Sequence, residues 1–353
     1  MTGPHQSSGP ADHVDPANSD GVRDDRTLKD KHPPVDPEFE PFLRSLTGRI
    51  PASITQDHLA HLRTIGLSSA PTDEELRRGG AIEIEERQIP GRAGGSKIGV
   101  LIGRPANLTA PAPGIVYFHG GGMIMGNNRT GIDGPFDLVA QLGVVVVSVE
   151  YGLAPEHPDP APIEDCYAGL AWTALHGDEL RIDADCLLVL GANAGGGLAA
   201  GATLLARDRD GPKVAGQVLM CPMLDDRNET PSSFELQGMG IWDRESNITG
   251  WTALLGDKRG GPDVSPYAAP ARATDLSGLP ATFIDVGSVD TLRDEVIDFA
   301  VRMWRAEGAA ELHVWPGGFH GFYDIVPDAS ISRMAHSVRI AWIRRQLDRA
   351  GQH

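Results

Sequence analysis

The chain has 353 residues, of which 41% are hydrophobic, and its formal net charge is -17 at pH 7. This length fits one large α/β domain with additional segments, or two small domains. The strong negative charge argues against nucleic acid and anionic membrane surfaces as partners. No stretch approaches the ~20 consecutive apolar residues of a membrane span. Because the first residues also lack the basic and apolar regions of a signal peptide, a cytoplasmic protein is expected.

The N-terminal part of the chain changes character twice. Residues 1–37 are rich in Pro, Gly, Ser and Asp and carry hardly any large apolar residues, which predicts a disordered tail. In residues 38–80, apolar residues recur at helical spacing and predict short helices ahead of the main sheet. Residues 81–89 then alternate apolar and charged side chains, as an edge strand does, and residues 97–105 predict a second strand.

From residue 114 onward, buried strands alternate with helices, which predicts a mostly parallel sheet with helices on both faces. The alternation stops between residues 225 and 279, which we interpret as an insertion. The predicted strands are 114–118, 144–149, 187–190, 217–221, 282–286 and 311–314, and the predicted helices are 136–142, 163–175, 198–207, 292–307 and 331–349.

The segment GANAG (residues 191–195) lies between a buried strand and a helix built of small residues. Strand, tight turn and helix are the setting of the G-x-S-x-G nucleophile elbow of α/β-hydrolases. Both glycines of that motif are present, but its central residue is Asn193 and not serine. Three cysteines, Cys166, Cys186 and Cys221, are far apart in apolar surroundings, and we expect buried free thiols.

A second glycine-rich turn, HGGG (residues 119–122), follows another buried strand. Such a loop supplies backbone N–H groups to the oxyanion hole of many esterases, and the residue after the nucleophile supplies another. We therefore predict the N–H groups of Gly121, Gly122 and Ala194 as the oxyanion hole.

Two later residues complete the predicted site. Asp290 lies just past a buried strand, and His320 lies in a glycine-flanked loop after the last strand. The order nucleophile position, acid and histidine along the chain is that of α/β-hydrolases. Asp294 is the alternative acid, but its place at a helix start favours a capping or pairing role.

These motifs, together with YGLAPEHP (residues 151–158), resemble the hormone-sensitive-lipase-like carboxylesterases of the α/β-hydrolase fold. The resemblance extends over roughly residues 39–347. It implies an eight-stranded, mostly parallel sheet in a core of residues 81–353. It also implies a helical cap built from residues 38–80 and from the insertion around 225–279. The implied triad lies at positions 193, 290 and 320.

By the same resemblance, the substrate is a small apolar ester or lactone, and no cofactor or metal is implied. No dinucleotide fingerprint or metal-ligand cluster is recognisable. A homodimer is compatible with the sequence.

Five residues are predicted to line the substrate pocket. Met123 and Met125 follow the glycine loop, Met239 and Trp242 belong to the insertion, and Phe322 follows His320. For each of them, packing of the cap onto the core is an equally good interpretation.

Asn193 is the departure from the family pattern, which has serine there. A carboxamide is a poor nucleophile, and loss of a triad serine costs on the order of 10⁶ in turnover. Asparagine nevertheless tolerates the positive φ of an elbow, and we expect its NH₂ group to donate to His320. Three explanations stay open: an esterase whose serine was replaced, a natural binding protein for a small hydrophobic ligand, and hydrolysis of Asn193 to a nucleophilic aspartate. The third has the least support, since no halide or epoxide site is recognisable.

Overall fold

The computed structural model describes residues 32–46 and 51–350, together with Met1 and Gly3, except for the side chains of residues 67 and 68. Most of the predicted tail therefore lies outside the described residues. The last part of that tail is ordered against the core, because the Asp36 N–H donates to Gly317 O at 3.1 Å. Among the described residues, no helix is both long and apolar enough to cross a membrane.

The predicted eight-stranded, mostly parallel sheet is confirmed, with strand order β1-β2-β4-β3-β5-β6-β7-β8. Strand β2 runs antiparallel to both of its neighbours, and every other pair is parallel. The strands are β1 (Ile82–Ile89), β2 (Ile98–Pro105), β3 (Ala112–Phe118), β4 (Val145–Val149), β5 (Ile182–Ala192), β6 (Gly216–Met220), β7 (Ala281–Val289) and β8 (Ala310–Phe319).

Helices flank this sheet and form the insertion. In chain order they are α1 (Glu40–Leu46), α2 (Leu59–Ser68), α3 (Asp73–Leu76), α4 (Asp133–Leu142), α5 (Ala161–Leu175), α6 (Gly177–Leu180), α7 (Ala194–Asp208), α8 (Pro231–Glu235), α9 (Arg244–Leu255), α10 (Arg293–Arg305), α11 (Phe322–Ile325) and α12 (Ser330–Ala350). Helix α7 begins at Ala194, four residues before its predicted start, because its first glycines pack closely against neighbouring backbone instead of forming a turn.

Neighbouring residues of β5 show which helices lie on each face of the sheet. Leu190 lines a cleft together with residues of α4 and α12. A Cβ on the next residue, Gly191, would instead lie 2.1 Å from Gly195 O in α7. Because successive residues of a strand point to opposite faces, α4 and α12 lie on one face of the sheet and α7 on the other.

The insertion is tied to the N-terminal segment by side-chain hydrogen bonds. Ser53 Oγ donates to Asp243 Oδ2 at 2.7 Å, and the Ile54 N–H donates to Ser246 Oγ at 2.8 Å. Asp243 also caps α9 by accepting from the Ser246 N–H. The two parts of the predicted cap are therefore in direct contact.

Candidate active site

Asn193 is the single residue between the end of β5 and the start of α7. Its φ of 52° and ψ of -117° are a strained combination for a residue with a side chain. Backbone hydrogen bonds hold it there: its N–H donates to Met220 O, and its carbonyl accepts from the Met223 N–H, both at 2.9 Å. The turn therefore presents the residue 193 side chain at the carboxyl edge of the sheet.

Two glycines make this turn possible because the chain crosses itself closely here. A Cβ on Gly191 would lie 2.1 Å from Gly195 O, and a Cβ on Gly195 would lie 2.0 Å from Phe118 O. Real Cβ atoms essentially never approach other atoms below 3.0 Å. Any side chain at either position would therefore displace Asn193 from its place beside the end of β3.

The glycine loop meets Asn193 because of strand register. Phe118, the last residue of β3, pairs with Gly191 in β5, so the loop after β3 begins beside the elbow. The N–H groups of Gly122 and Gly121 both donate to Asn193 Oδ1, at 2.8 and 3.2 Å. Two of the three predicted oxyanion donors thus converge on one oxygen, at distances close to those of known oxyanion holes. The third, Ala194, is the adjacent residue at the start of α7.

His119 is buried and contacts the backbone of the glycine loop. Its Nδ1 is hydrogen bonded to Gly120 O at 2.7 Å, and its ring stacks on Tyr151. Burial lowers the pKa of His119 to about 4. The imidazole is therefore neutral at pH 7, which lets Nδ1–H donate to the carbonyl.

Asp290 and His320 meet because they follow paired residues of neighbouring strands. Val289 ends β7 and pairs with Phe319, which ends β8. His320 Nδ1 lies 3.1 and 3.0 Å from the two carboxylate oxygens of Asp290. Both side chains are buried. Asp290 therefore holds the imidazole in one orientation, as the acid of a catalytic triad does.

The alternative acid, Asp294, is engaged elsewhere. It accepts a hydrogen bond from the Ser232 N–H at 2.8 Å and from Arg293 Nε at 2.7 Å. The predicted structural role fits this geometry, and Asp290 is the partner of His320.

Comparisons with known proteins identify the family of this chain. Residues 115–324 match the model of the alpha/beta hydrolase fold family. Carboxylesterase NlhH of Mycobacterium tuberculosis (strain ATCC 25618 / H37Rv) is 34% identical over 308 residues, which cover 83% of this chain and 92% of that protein. The chain belongs to the hormone-sensitive-lipase-like carboxylesterases of the α/β-hydrolase fold.

Among solved structures, Bacterial Heroin Esterase matches with a TM-score of 0.81 at 36% identity, covering 89% of this chain and 98% of that one. A receptor is also similar: Gibberellin receptor GID1B of Arabidopsis thaliana is 27% identical over 201 residues, 54% of this chain and 55% of the receptor. The chain is thus similar in sequence both to esterases and to a receptor.

Opposing effects act on the histidine of this esterase site. Burial lowers the pKa of His320, but the negative charge of Asp290 and the nearby Cys221 raise it, and the net result is a pKa well above 6.5. The pairing with Asp290 therefore favours the protonated form of the imidazole.

The expected hydrogen bond from the Asn193 amide to His320 is not formed. Asn193 Nδ2 is buried and has no hydrogen-bond partner in the structure. The cause is the orientation of the carboxamide, whose oxygen turns toward the two glycine N–H groups. A buried unpaired donor costs ~1–3 kcal/mol, so the two hydrogen bonds to Oδ1 have to offset that cost.

A small cavity of about 30 Å³ lies beside His320, between the cap and the core. Of the five predicted pocket residues, Met239 and Trp242 line it. Met123 and Phe322 are instead fully buried in the core, and Met125 packs at the edge of the core. A cavity of this size has room for about one water molecule and not for an ester.

Trp242 closes the site from the cap. Its indole lies so near the glycine loop that a Cβ on Gly122 would be 2.1 Å from the ring. Its Nε1 donates to Asn247 Oδ1 at 3.1 Å, and its carbonyl accepts from Thr291 Oγ1 at 2.8 Å. The indole therefore covers the loop at Gly122, whereas Gly120 and Gly121 stay partly exposed.

Sequence reasoning missed the position of Cys221. All three cysteines are buried and free, as predicted. Cys221 Sγ, however, lies within 4.8 Å of both a carboxylate oxygen of Asp290 and a ring nitrogen of His320, and 3.2 Å from Tyr323 Oη. Its place directly after a buried strand was the available signal. These three groups are of metal-ligating type, but Asp290 and His320 are already bonded to each other.

Proposed function

We propose that this carboxylesterase-type protein binds a small apolar ester or lactone but turns it over very slowly or not at all, because Asn193 occupies the nucleophile position. The observation that carries the proposal is the hydrogen bonding of Asn193 Oδ1 by the Gly121 and Gly122 N–H groups. The glycine loop contacts that side chain directly, and the paired Asp290 and His320 follow the ends of β7 and β8 in the same parallel part of the sheet.

In a serine-bearing parent, the mechanism follows from these positions. His320 takes the serine proton as the hydroxyl attacks the ester carbonyl, and Asp290 stabilises the resulting imidazolium. The N–H groups of Gly121, Gly122 and Ala194 stabilise the oxyanion of the tetrahedral intermediate. The alcohol leaves with a proton from His320, and water then hydrolyses the acyl-enzyme by the same steps.

Asn193 interrupts this reaction in two ways. The nitrogen lone pair of a carboxamide is delocalised, so the side chain cannot take the role of the serine hydroxyl. Its oxygen also accepts the hydrogen bonds that the substrate oxyanion needs. Loss of the nucleophile and occupation of the anion hole have separate consequences, so they can be measured separately.

The test is Asn193→Ser, assayed with p-nitrophenyl acetate beside the unaltered protein. We expect turnover to rise by several orders of magnitude, since loss of a triad serine costs on the order of 10⁶. Asn193→Ala is the matched control, because it empties the anion hole without supplying a nucleophile, and it should stay near the unaltered protein. Asn193→Ser with His320→Ala should lose the gain.

Two results would contradict the proposal. Equal turnover in the unaltered protein and in Asn193→Ser would mean that another group is the nucleophile. Peptide mass spectrometry that finds aspartate at position 193 in the unaltered protein would favour the carboxylate alternative.

A second candidate is a non-hydrolytic binding protein for a small hydrophobic ligand. The similarity to a gibberellin receptor favours it, because a receptor needs the pocket and not the nucleophile. If Asn193→Ser restores no turnover, this candidate takes precedence. Mass spectrometry of the purified protein should then reveal a retained apolar compound.

A further inference from the structure

A second cleft, much larger than the one beside His320, lies between α4 and α12. Its volume is about 260 Å³, and it is on the sheet face opposite α7. Its mouth includes the exposed residues Gly131 and Pro327, and its floor is formed by Leu190 and Met220, both buried. None of Asn193, Asp290 and His320 lines it, so this cleft is separate from the esterase site.

The other two charged side chains of this cleft, Arg339 and Asp137, each form a salt bridge, although Arg339 Nε has no hydrogen-bond partner among the described residues. Arg339 Nη2 donates to Asp285 Oδ2 at 2.8 Å. Asp137 Oδ1 is 3.1 Å from Arg78 Nη2 in a salt bridge. Burial lowers the pKa of His336, which is therefore uncharged at neutral pH.

Asp324 is the exception. Its carboxylate is accessible from the cleft and accepts no hydrogen bond from the described residues. Desolvation by the surrounding protein raises the pKa of this carboxyl to about 6, while Arg339 acts in the opposite direction and Asp285 and Asp133 add to the rise. At pH 7 the cleft therefore contains, above an apolar floor, one carboxylate that accepts no hydrogen bond from the described residues and is only partly offset by the charge of Arg339.

We propose that this cleft binds a small molecule with an apolar body and a protonated amine, whose ammonium group pairs with Asp324. An ammonium supplies both the positive charge and the hydrogen-bond donors that the carboxylate lacks. The apolar body would cover Leu138, Leu190 and Met220. A carboxylate ligand would be repelled by Asp324, since Arg339 is already bonded to Asp285.

The position of the cleft links it to the esterase site without overlap. Leu190 lies three residues before Asn193 in β5, and Met220 immediately precedes Cys221. Asp324 lies in α11, the short helix that follows His320. A bound amine would therefore contact β5, β6 and α11, which adjoin the site residues, on the sheet face opposite α7.

The test uses phenethylamine, with 2-phenylethanol as a neutral comparator of the same shape, titrated against the full chain by calorimetry and protein-observed NMR at pH 7.5. We expect the amine to bind at least about tenfold more tightly than the alcohol. Its affinity should fall as the pH drops below about 6, because protonation removes the charge of Asp324.

Three variants locate the site. Asp324→Asn should lower amine affinity to that of the alcohol and abolish the pH dependence. Asp137→Asn is the matched control, because that carboxylate lies on the same cleft but is paired with Arg78, and it should change the affinity by less than about threefold. Gly134→Leu should abolish binding of both compounds, since a side chain there meets no atom within 4 Å and extends into the cleft.

Each outcome decides the proposal. Equal affinities for the amine and the alcohol, an unchanged amine affinity in Asp324→Asn, or no saturable binding by phenethylamine would overturn it. Thermal melting confirms that each variant is folded. Gly134 lies in the first turn of α4, where leucine has a higher helix propensity than glycine and a Cβ meets no atom within 4 Å, so a loss of binding in that variant is not expected to reflect unfolding.

Discussion

Substitution of Gly122 by alanine tests whether its N–H group acts on the transition state. Gly122 has a φ of 61°, and a Cβ there would lie 2.1 Å from Trp242 Cη2, whereas at least 3.0 Å is needed. Either the loop or the indole must therefore move by about 1 Å, a misplacement that can cost ~10²-fold in rate. Loss of one oxyanion donor costs ~2.7–4 kcal/mol, or about 10²–10³-fold in kcat.

The assay compares Asn193→Ser with Asn193→Ser/Gly122→Ala, using p-nitrophenyl acetate over a full range of substrate concentrations. The N–H group interacts mainly with charge that develops in the transition state, so kcat should fall by about 10²–10³ while KM changes far less. The matched control is Gly143→Ala in the same serine background. Gly143 has a similar φ of 69° and no atom within 4 Å of a Cβ, and it is remote from the site.

Gly143→Ala has the same cost of ~1–2 kcal/mol for placing a side chain at positive φ, but it does not disturb the glycine loop. It should lower the melting temperature and leave kcat unchanged. A kcat of the Gly122 variant within about threefold of its parent would refute the reasoning, because the N–H would then contribute little to catalysis. An equal loss in both variants would show that the effect is global destabilisation.

Two further predictions follow from buried charges. In Asn193→Ser, kcat/KM should rise with pH through an apparent pKa above 6.5. His320 must be neutral to accept the serine proton, and Asp290 raises the pKa of this histidine despite its burial. A pH–rate profile whose apparent pKa is 6.5 or lower would contradict this prediction. Arg339→Leu should lower the free energy of unfolding by about 3–5 kcal/mol, because it removes the charged partner of buried Asp285, 2.8 Å away, and leaves only the hydrogen bond from Trp315 Nε1. Urea unfolding measures this loss, and Asp285→Leu with Arg339→Leu should recover much of it; a double variant no better than the single one would mean that the cost is not that of an unpaired charge.

Local sequence patterns were sufficient to predict much of the fold. Alternation of buried strands with amphipathic helices predicted the parallel sheet, because that pattern follows directly from which face of each element is buried. The positions of the site residues could also be predicted from the sequence, because Asn193, Asp290 and His320 each lie just past the end of a strand. Parallel strands bring such positions to one edge of the sheet whatever the details of packing.

The orientation of side chains could not be predicted from the sequence in the same way. The sequence expectation for Asn193 was a hydrogen bond to His320, but the carboxamide turns its oxygen to Gly121 and Gly122 instead. That choice depends on where two backbone N–H groups from a loop about 70 residues away come to lie. Met123 and Phe322 were assigned to the pocket from their neighbours in the chain, and packing placed them in the core.

The sequence by itself therefore determined the order of the elements, the residues at the ends of the strands, and the presence of an asparagine in the turn after β5. These are properties of hydrophobic periodicity and of single side-chain chemistries, which need no distant partner. Only the tertiary structure decided that the amide oxygen accepts from the Gly121 and Gly122 N–H groups, that Cys221 lies beside the histidine, and that Asp324 lies in a cleft without a hydrogen-bond donor. Each of these depends on the distances between groups far apart in the chain, and those distances are set by packing.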